Sequence, residues 1–217
     1  MNNYCKICGS ETKELFQEKF NLNYFSCGYC EFISKDESSI ITPIEELKIY
    51  NSHNNSIEDP RYVTYFKNFI HQAILEYCSP ERKGLDFGSG PSPVLATILE
   101  RDYGFSMDIY DKFYAVEKIY EGKKYSLITS TEVVEHLKNP IKYFQLFKDR
   151  VIERGTISIM TLFHPGNENE FLDWFYIRDM SHISFYTPKT MEYIGKRVGL
   201  KVIYTNELRY ITFSPVR

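Results

Sequence analysis

The chain has 217 residues, 43% apolar and 16% aromatic, enough for one domain with a real core and a small appendage. Its formal net charge of −3 argues against broad binding to a phosphate backbone, which needs a basic surface. No apolar stretch reaches the length of a membrane span, and "MNNYCKICGS" does not read as a signal peptide, so a cytoplasmic, thiol-reducing setting is expected.

The first unit is predicted over residues 1–40. Cys5-Lys-Ile-Cys8 and Cys27-Gly-Tyr-Cys30 form two C-x-x-C pairs with 18 residues between them, a spacing that reads as a four-thiolate structural zinc site. Disulfides or a redox pair are the other readings. Gly9 and Gly28 are expected to take the positive φ of the two turns. "LFQEKF" and "NYFSC" read as short strands of a ribbon too small to fold without its metal. Residues 41–60 read as a helix, "PIEELKIY", and a polar linker, with 61–217 as the main domain.

"RYVTYFKNFIHQAILEYC" (61–78) has helical periodicity, its aromatic stripe reading as a core face. "GLDFG" reads as a strand and "PSPVLATILERDYG" as a helix with Ser92 as N-cap and Pro93 at its first position. "FSMDIYD" and "YSLITSTEV" follow as strands, "NPIKYFQLFKDRVI" as a helix, "GTISIMTLF" as a strand and "TPKTMEYIGKRVG" as a capped helix. "LKVIYTNEL" and "YITFSPV" close the chain as an antiparallel pair. The alternation predicts an α/β fold, a Rossmann-like doubly wound sheet with helices on both faces. Cys78 reads as a packed small residue, and the acidic pairs Asp36-Glu37 and Glu45-Glu46 as solvated surface.

The turn Gly88-Ser89-Gly90 follows the first strand of that sheet. A loop for pyrophosphate offers free N–H groups and avoids negative charge. This one loses donors at Pro91 and Pro93 and carries Asp86 ahead of the turn, which favours a cationic, phosphate-free ligand such as S-adenosylmethionine. Asp111, 25 residues after Asp86, is placed to accept from ribose hydroxyls, a feature shared with nicotinamide sites.

"LDFGSGPS", "IYD" and "YSLITSTEVVEHLKNP" resemble motifs of class I S-adenosylmethionine-dependent methyltransferases, and "WFYIRDMSHISFYTPKTMEYIGKRVGL" resembles a segment of a bacterial subgroup in which some members carry an N-terminal C-x-x-C…C-x-x-C module. The resemblance implies that Asp86, Gly88, Ser89 and Gly90 line the methionine part of the cofactor, that Asp111 holds the ribose, and that Thr131 and Glu132 lie between cofactor and substrate. One departure stands out: "KFYAVEKIYEGKK" is too short for the helix and third strand that family members carry between the ribose acid and the fourth strand. Phe113 or Tyr114 is then expected to stack on the adenine.

For proton transfer the candidates are His182, His136 and Glu132. Trp174, Tyr176, Phe185 and Tyr186 are expected to wall in His182, whose bland reading is a partner of Asp179; that of His136 is a hydrogen bond fixing a helix start. His53, His71 and His164 read as incidental. Glu132, Glu135, His136 and His182 also have the residue types of a magnesium or manganese site, an arrangement that resembles small-RNA 2′-O-methyltransferases.

The predicted activity is methyl transfer to a small or medium acceptor, a sugar or polysaccharide intermediate or a quinol-like hydroxyl. The alternative is a zinc-ribbon binding or regulatory protein on a methyltransferase-like scaffold, possibly directed to RNA. Four lysines against six acidic residues in the first 40 argue against nucleic acid.

Overall fold

The structure is a computed structural model and describes residues 4–52 and 56–216. His53 lies outside the described residues. The chain runs through β1 (Lys13–Gln17), β2 (Leu22–Ser26), β3 (Ile33–Lys35), α1 (Pro43–Asn51), α2 (Pro60–Ala73), β4 (Lys83–Phe87), α3 (Val94–Tyr103), β5 (Ser106–Tyr110) and β6 (Tyr125–Thr131). It continues through α4 (Pro140–Arg150), β7 (Val151–Met160), α5 (Glu168–Asp173), β8 (Ser184–Phe185), α6 (Pro188–Val198), β9 (Leu200–Thr205) and β10 (Tyr210–Pro215).

Six strands form the main sheet in the order β5-β4-β6-β7-β10-β9. The first four run parallel, and β10 runs antiparallel to both its neighbours. Successive side chains of a strand point to opposite faces, and here both faces are covered. On β6, Leu127 packs with α2 and α3, while Ile128 packs with Phe144 and Phe147 of α4 and Ile194 of α6. This is the expected class I methyltransferase type of α/β fold, shortened as expected: residues 111–124 hold turns and one isolated bridge, so β5 is an edge strand. The chain leaves β4 first to one side and later to the other. The carboxyl ends of β4 and β6 therefore border the crevice at the reversal of strand order, the usual ligand position in such sheets.

Several boundaries differ from expectation. α2 stops at Ala73, because the chain turns over residues 74–77. α3 begins at Val94 with Pro93 as its N-cap and no side-chain cap; the Ser92 carbonyl, not its hydroxyl, accepts from the Val94 N–H at 2.8 Å. α4 gives way to β7 at Val151, which pairs with Tyr125 ahead of a register shift.

The small sheet has the order β1-β2-β3-β8, antiparallel throughout, so the N-terminal ribbon gains its fourth strand from far along the chain. Ile33 pairs with Phe185 and Ser34 with Ser184. Among the described residues no helix is long and apolar enough to cross a membrane.

Candidate active site and cysteine cluster

The four thiols meet as expected. Cys5 and Cys30 Sγ lie 3.5 Å apart, Cys8 and Cys27 Sγ 3.4 Å apart, and all four fall within 4.8 Å of one another. Thiolates about 2.3 Å from one zinc ion would sit roughly 3.8 Å apart at the corners of a tetrahedron, so the residues fit the metal. The two knuckles repeat one geometry: the Gly9 N–H donates to the Cys5 carbonyl at 2.9 Å and the Glu31 N–H to the Cys27 carbonyl at 2.8 Å. The left-handed residue follows the second cysteine in each, Gly9 at φ 79° and Glu31 at φ 63°. Gly28 is not in the positive-φ region, so the expectation for it fails; Glu31 fills that place, held by Lys189 and Thr187.

A cavity of about 1380 Å³ opens at the carboxyl ends of β4 and β6. Single-ligand pockets hold roughly 300–1,000 Å³, so this one has room for two reactants. Asp86, Gly88, Ser89, Gly90, Asp111, Thr131, Glu132, His136 and His182 all line it.

On one side the turn after β4 leaves room for a ligand against its backbone. Gly88 (φ 88°) and Gly90 (φ 68°) are left-handed; a Cβ on Gly88 would collide with Val133, whereas nothing lies within 4 Å of one on Gly90. Asp86, 2% exposed, accepts from the Thr129 hydroxyl at 2.8 Å and has no cationic partner among the described residues. Burial, with the Asp111 charge adding to it, raises the Asp86 carboxyl to about 7. A buried carboxyl with this deficit is suited to an ammonium ligand. Asp111 also acts locally, which was not expected: it accepts from the N–H groups of Gly90 (3.0 Å), Phe113 (2.8 Å) and Tyr114 (3.1 Å), shaping the turn it faces. Carboxylate oxygens carry further lone pairs for hydroxyl donors. Tyr114 lines the cavity, whereas Phe113 packs against Tyr50.

The opposite side is assembled from distant segments. Residues 133–137 contain a single 3-10 turn (Val134–His136), joined to the segment before β8 and to β8 itself. The Ile183 N–H donates to the Glu135 carbonyl (2.8 Å), the Ser184 hydroxyl to that of Leu137 (2.7 Å), and the Tyr186 hydroxyl to that of Val134 (2.7 Å). This brings the His136 and His182 rings to 4.9 Å between centroids. His136 Nδ1–H donates to the Ser181 carbonyl (3.0 Å), and His182 Nδ1–H to that of Tyr176 (2.8 Å). A carbonyl can only accept, so each neutral ring has its unprotonated nitrogen at Nε2. Burial foremost lowers both imidazoles, His136 to about 3 with His182 contributing, so both are neutral bases at neutral pH.

Glu132 sits at φ 52° and accepts from the hydroxyls of Tyr65 (2.7 Å) and Tyr176 (2.9 Å). A left-handed glutamate is uncommon, and such strain concentrates at functional sites. Glu135 is fully buried; burial and then the Glu132 charge push its carboxyl well above the usual range. Its Oε1 lies 2.5 Å from the Tyr176 hydroxyl, whose single proton is shared between Glu132 and Glu135, while its Oε2 has no partner among the described residues. Glu135, His136 and His182 could share a divalent cation, their ligand atoms lying within 4.8 Å of one another. Glu132 stands outside that group.

Other expectations are corrected. Around His182 the ring contacts are Tyr176 (4.1 Å) and His136; Trp174 stacks behind Tyr176, Phe185 packs with Tyr24 and Phe171, and Tyr186 packs on Phe32. Asp179 does partner His182, through the His182 backbone N–H on the Asp179 carbonyl at 3.1 Å and with Asp179 Oδ2 3.8 Å from His182 Nε2, an ion-pair distance rather than a side-chain hydrogen bond. His136 sits on a 3-10 turn rather than at a helix start. His164 joins the N-terminal unit by donating to the Glu31 carbonyl at 2.7 Å. The surface reading of the acidic pairs holds for the exposed Glu37 and Glu45, though Glu37 pairs with Lys6 and Lys138 and the half-buried Glu46 takes Tyr50 and Lys112 at 2.6 Å each. Tyr62 and Tyr65 of α2 face the cavity, while Phe66, Phe69 and Ile70 fill the core as expected. Tyr50, which lines the cavity, was not anticipated as a site residue; its signal is spatial, since it stands in no motif.

A search of curated proteins found no match. Among solved structures the chain is similar to the mitomycin 7-O-methyltransferase MmcR (10% identity, 89% of this chain and 79% of that one, TM-score 0.54). It is also similar to an O-methyltransferase family protein from Burkholderia thailandensis (13% identity, 73% and 61%, TM-score 0.53) and to LaPhzM (13% identity, 80% and 60%, TM-score 0.50). The chain thus spans under two thirds of the last two, and at these identities the likeness speaks for the fold. A family model, a methyltransferase domain, matches residues 61–205, which take in the glycine turn, both histidines and every strand of the main sheet but β10, and the chain belongs to that methyltransferase family.

Proposed function

We propose that this protein is an S-adenosylmethionine-dependent methyltransferase acting on a hydroxyl of a small or medium acceptor, a sugar or polysaccharide intermediate or a quinol-like compound. The observation that carries the reading is the pair of neutral imidazoles with Nδ1 committed to carbonyls, across one cavity from a buried carboxyl that lacks a cation. Among the described residues neither ring has a hydrogen bond at Nε2, where His182 has only Asp179 at 3.8 Å. When bound, the cofactor supplies an electrophilic methyl group on a sulfonium. Asp86 would hold its ammonium, Asp111 its ribose, and the Gly88-Ser89-Gly90 backbone its methionine portion, with Thr131 and Glu132 beside the methyl group. His182 Nε2, with His136 beside it, would accept the proton that the acceptor's hydroxyl gives up on methylation.

We read residues 1–40 as the zinc-holding unit, 41–60 as the linker and 61–217 as the catalytic domain, with Tyr50 of the linker forming part of the cavity wall. Ion pairs of Lys6 with Glu37 and Lys13 with Glu168, and burial of Lys35, leave the unit little positive charge for nucleic acid and so favour a small-molecule acceptor. Calorimetry is the test. S-adenosylmethionine and S-adenosylhomocysteine should both bind the parent, and Asp86→Ala should bind them at least tenfold more weakly; absence of binding to the parent overturns the reading.

A further inference from the structure

Lys35 is 1% exposed and the only lysine or arginine among the described residues that is buried. It ends β3, the strand that follows the second cysteine knuckle. Its Nζ donates to the Met180 carbonyl at 3.0 Å, with Met180 Sδ at 4.0 Å, and its backbone N–H donates to the Ile183 carbonyl at 2.9 Å. Side chain and main chain thus hold the two ends of the short turn that carries His182.

The same turn is held from the other side by residues already described, through the Ile183 N–H on Glu135 and the His136 ring on the Ser181 carbonyl. Within itself it is tied by the Ser181 N–H on Asp179 Oδ1 (2.9 Å) and the His182 N–H on the Asp179 carbonyl (3.1 Å). The N-terminal side is gripped by Lys35.

A buried ammonium carries three donors and is costly to desolvate. For packing alone, methionine would fill the same space at less cost. Lys35 makes no direct ion pair among the described residues; burial lowers the ammonium to about 8, with the Asp179 charge opposing that lowering from a distance, so it stays charged at neutral pH. The charged and titratable groups around His182 are Asp179, Glu132, Glu135, His136, Tyr176 and Lys35.

We propose that Lys35 is a positioning residue for His182: through its hydrogen bonds to the Met180 and Ile183 carbonyls, the cysteine-bearing unit fixes the imidazole at the acceptor side of the cavity. Only the description of His182 as a base rests on the methyltransferase reading; the mechanical claim stands apart from it.

The test uses the full chain in its metal-loaded form, with Lys35→Met, which keeps the length and apolar stem, and Lys35→Arg, which keeps the cation. Trp174 is the chain's one tryptophan and lies 4.9 Å from Tyr176, which in turn lies 4.1 Å from His182, so its emission reports on this turn. Lys35→Met should raise acrylamide quenching of Trp174 at least twofold and speed amide exchange across 179–183 at least tenfold. Lys35→Arg should restore most of both, and S-adenosylhomocysteine affinity should stay within threefold in each variant. Parent-like quenching and exchange in Lys35→Met overturn the proposal, as does failure of Lys35→Arg to rescue. Loss of the far-UV spectrum in Lys35→Met also overturns it, because Lys35 would then serve the fold at large. If S-adenosylhomocysteine fails to bind the parent, the functional reading falls while quenching and exchange still decide the role of Lys35.

Discussion

The two sides of the cavity are built on different principles. The side bearing the glycine turn comes from adjacent parallel strands, β4 and β5, and is shaped by main-chain conformation: Gly88, Gly90 and the N–H groups that Asp111 gathers. The histidine side is assembled from Tyr50, Tyr65, Glu132, His136, Tyr176 and His182, brought together by contacts that span from 41 to 86 positions of sequence. A backbone-built site tolerates loosening elsewhere, whereas a side-chain-built site depends on every brace that holds it.

The sharpest way to break this contrast is to remove the metal the cysteines can hold. Structural zinc contributes on the order of 10 kcal/mol in small cysteine-ligated units. A strong chelator should therefore melt β1–β3 in the far-UV spectrum and expose Trp174 to quencher, while S-adenosylhomocysteine affinity falls less than tenfold. Equal loss on both sides would erase the distinction.

Gly88→Ala strikes where the sides meet. The new Cβ would press on Val133 at φ 88°, and strain plus overpacking should cost about 3 kcal/mol in denaturant unfolding. Adding Val133→Ala should recover the packing part but not the conformational part, which a double-mutant cycle reads directly.

The pH dependence isolates the turn side. The folded carboxyl of Asp86 is raised to about 7 against about 3.8 unfolded, so the folded protein holds the extra proton between those values. Stability of the ligand-free protein should fall as pH rises through that window, read as a declining Tm. Affinity for S-adenosylhomocysteine, which needs the ionised carboxylate, should instead weaken about tenfold per unit below pH 7. Asp86→Asn should flatten both profiles. The smallest effect is expected from Tyr65→Phe, which removes one hydrogen bond to Glu132 and should lower stability by about 1–2 kcal/mol with cofactor affinity unchanged.

The same contrast explains what could be read in the sequence. Asp86, Gly88, Gly90 and Asp111 lie in short strand–turn–helix units whose chemistry is local, and they line the cavity as expected. The short 111–124 connection announced the absent third strand by length alone. His136 and His182 could be singled out by residue type, but their shared orientation depends on hydrogen bonds from the 3-10 turn to the segment around β8, which leave no periodic trace. Lys35 was invisible for the same reason: a lysine in a short polar stretch reads as surface until a strand about 150 positions away covers it. Glu31 took the conformation expected of Gly28 because the turn's need falls after the second cysteine, and anchoring by Lys189 and Thr187 holds a non-glycine there.

The pairing of Ile33 with Phe185 also orders events in time. The ribbon leaves the ribosome before the segment that covers it, since Cys30 and Phe32 share a buried cluster with Tyr186, Met191 and Ile194. Closing so long a loop is slow compared with local pairing. The cysteine ribbon is therefore sealed only after the later β8–α6 segment has been made, and until then its thiols stay open to an incoming metal ion.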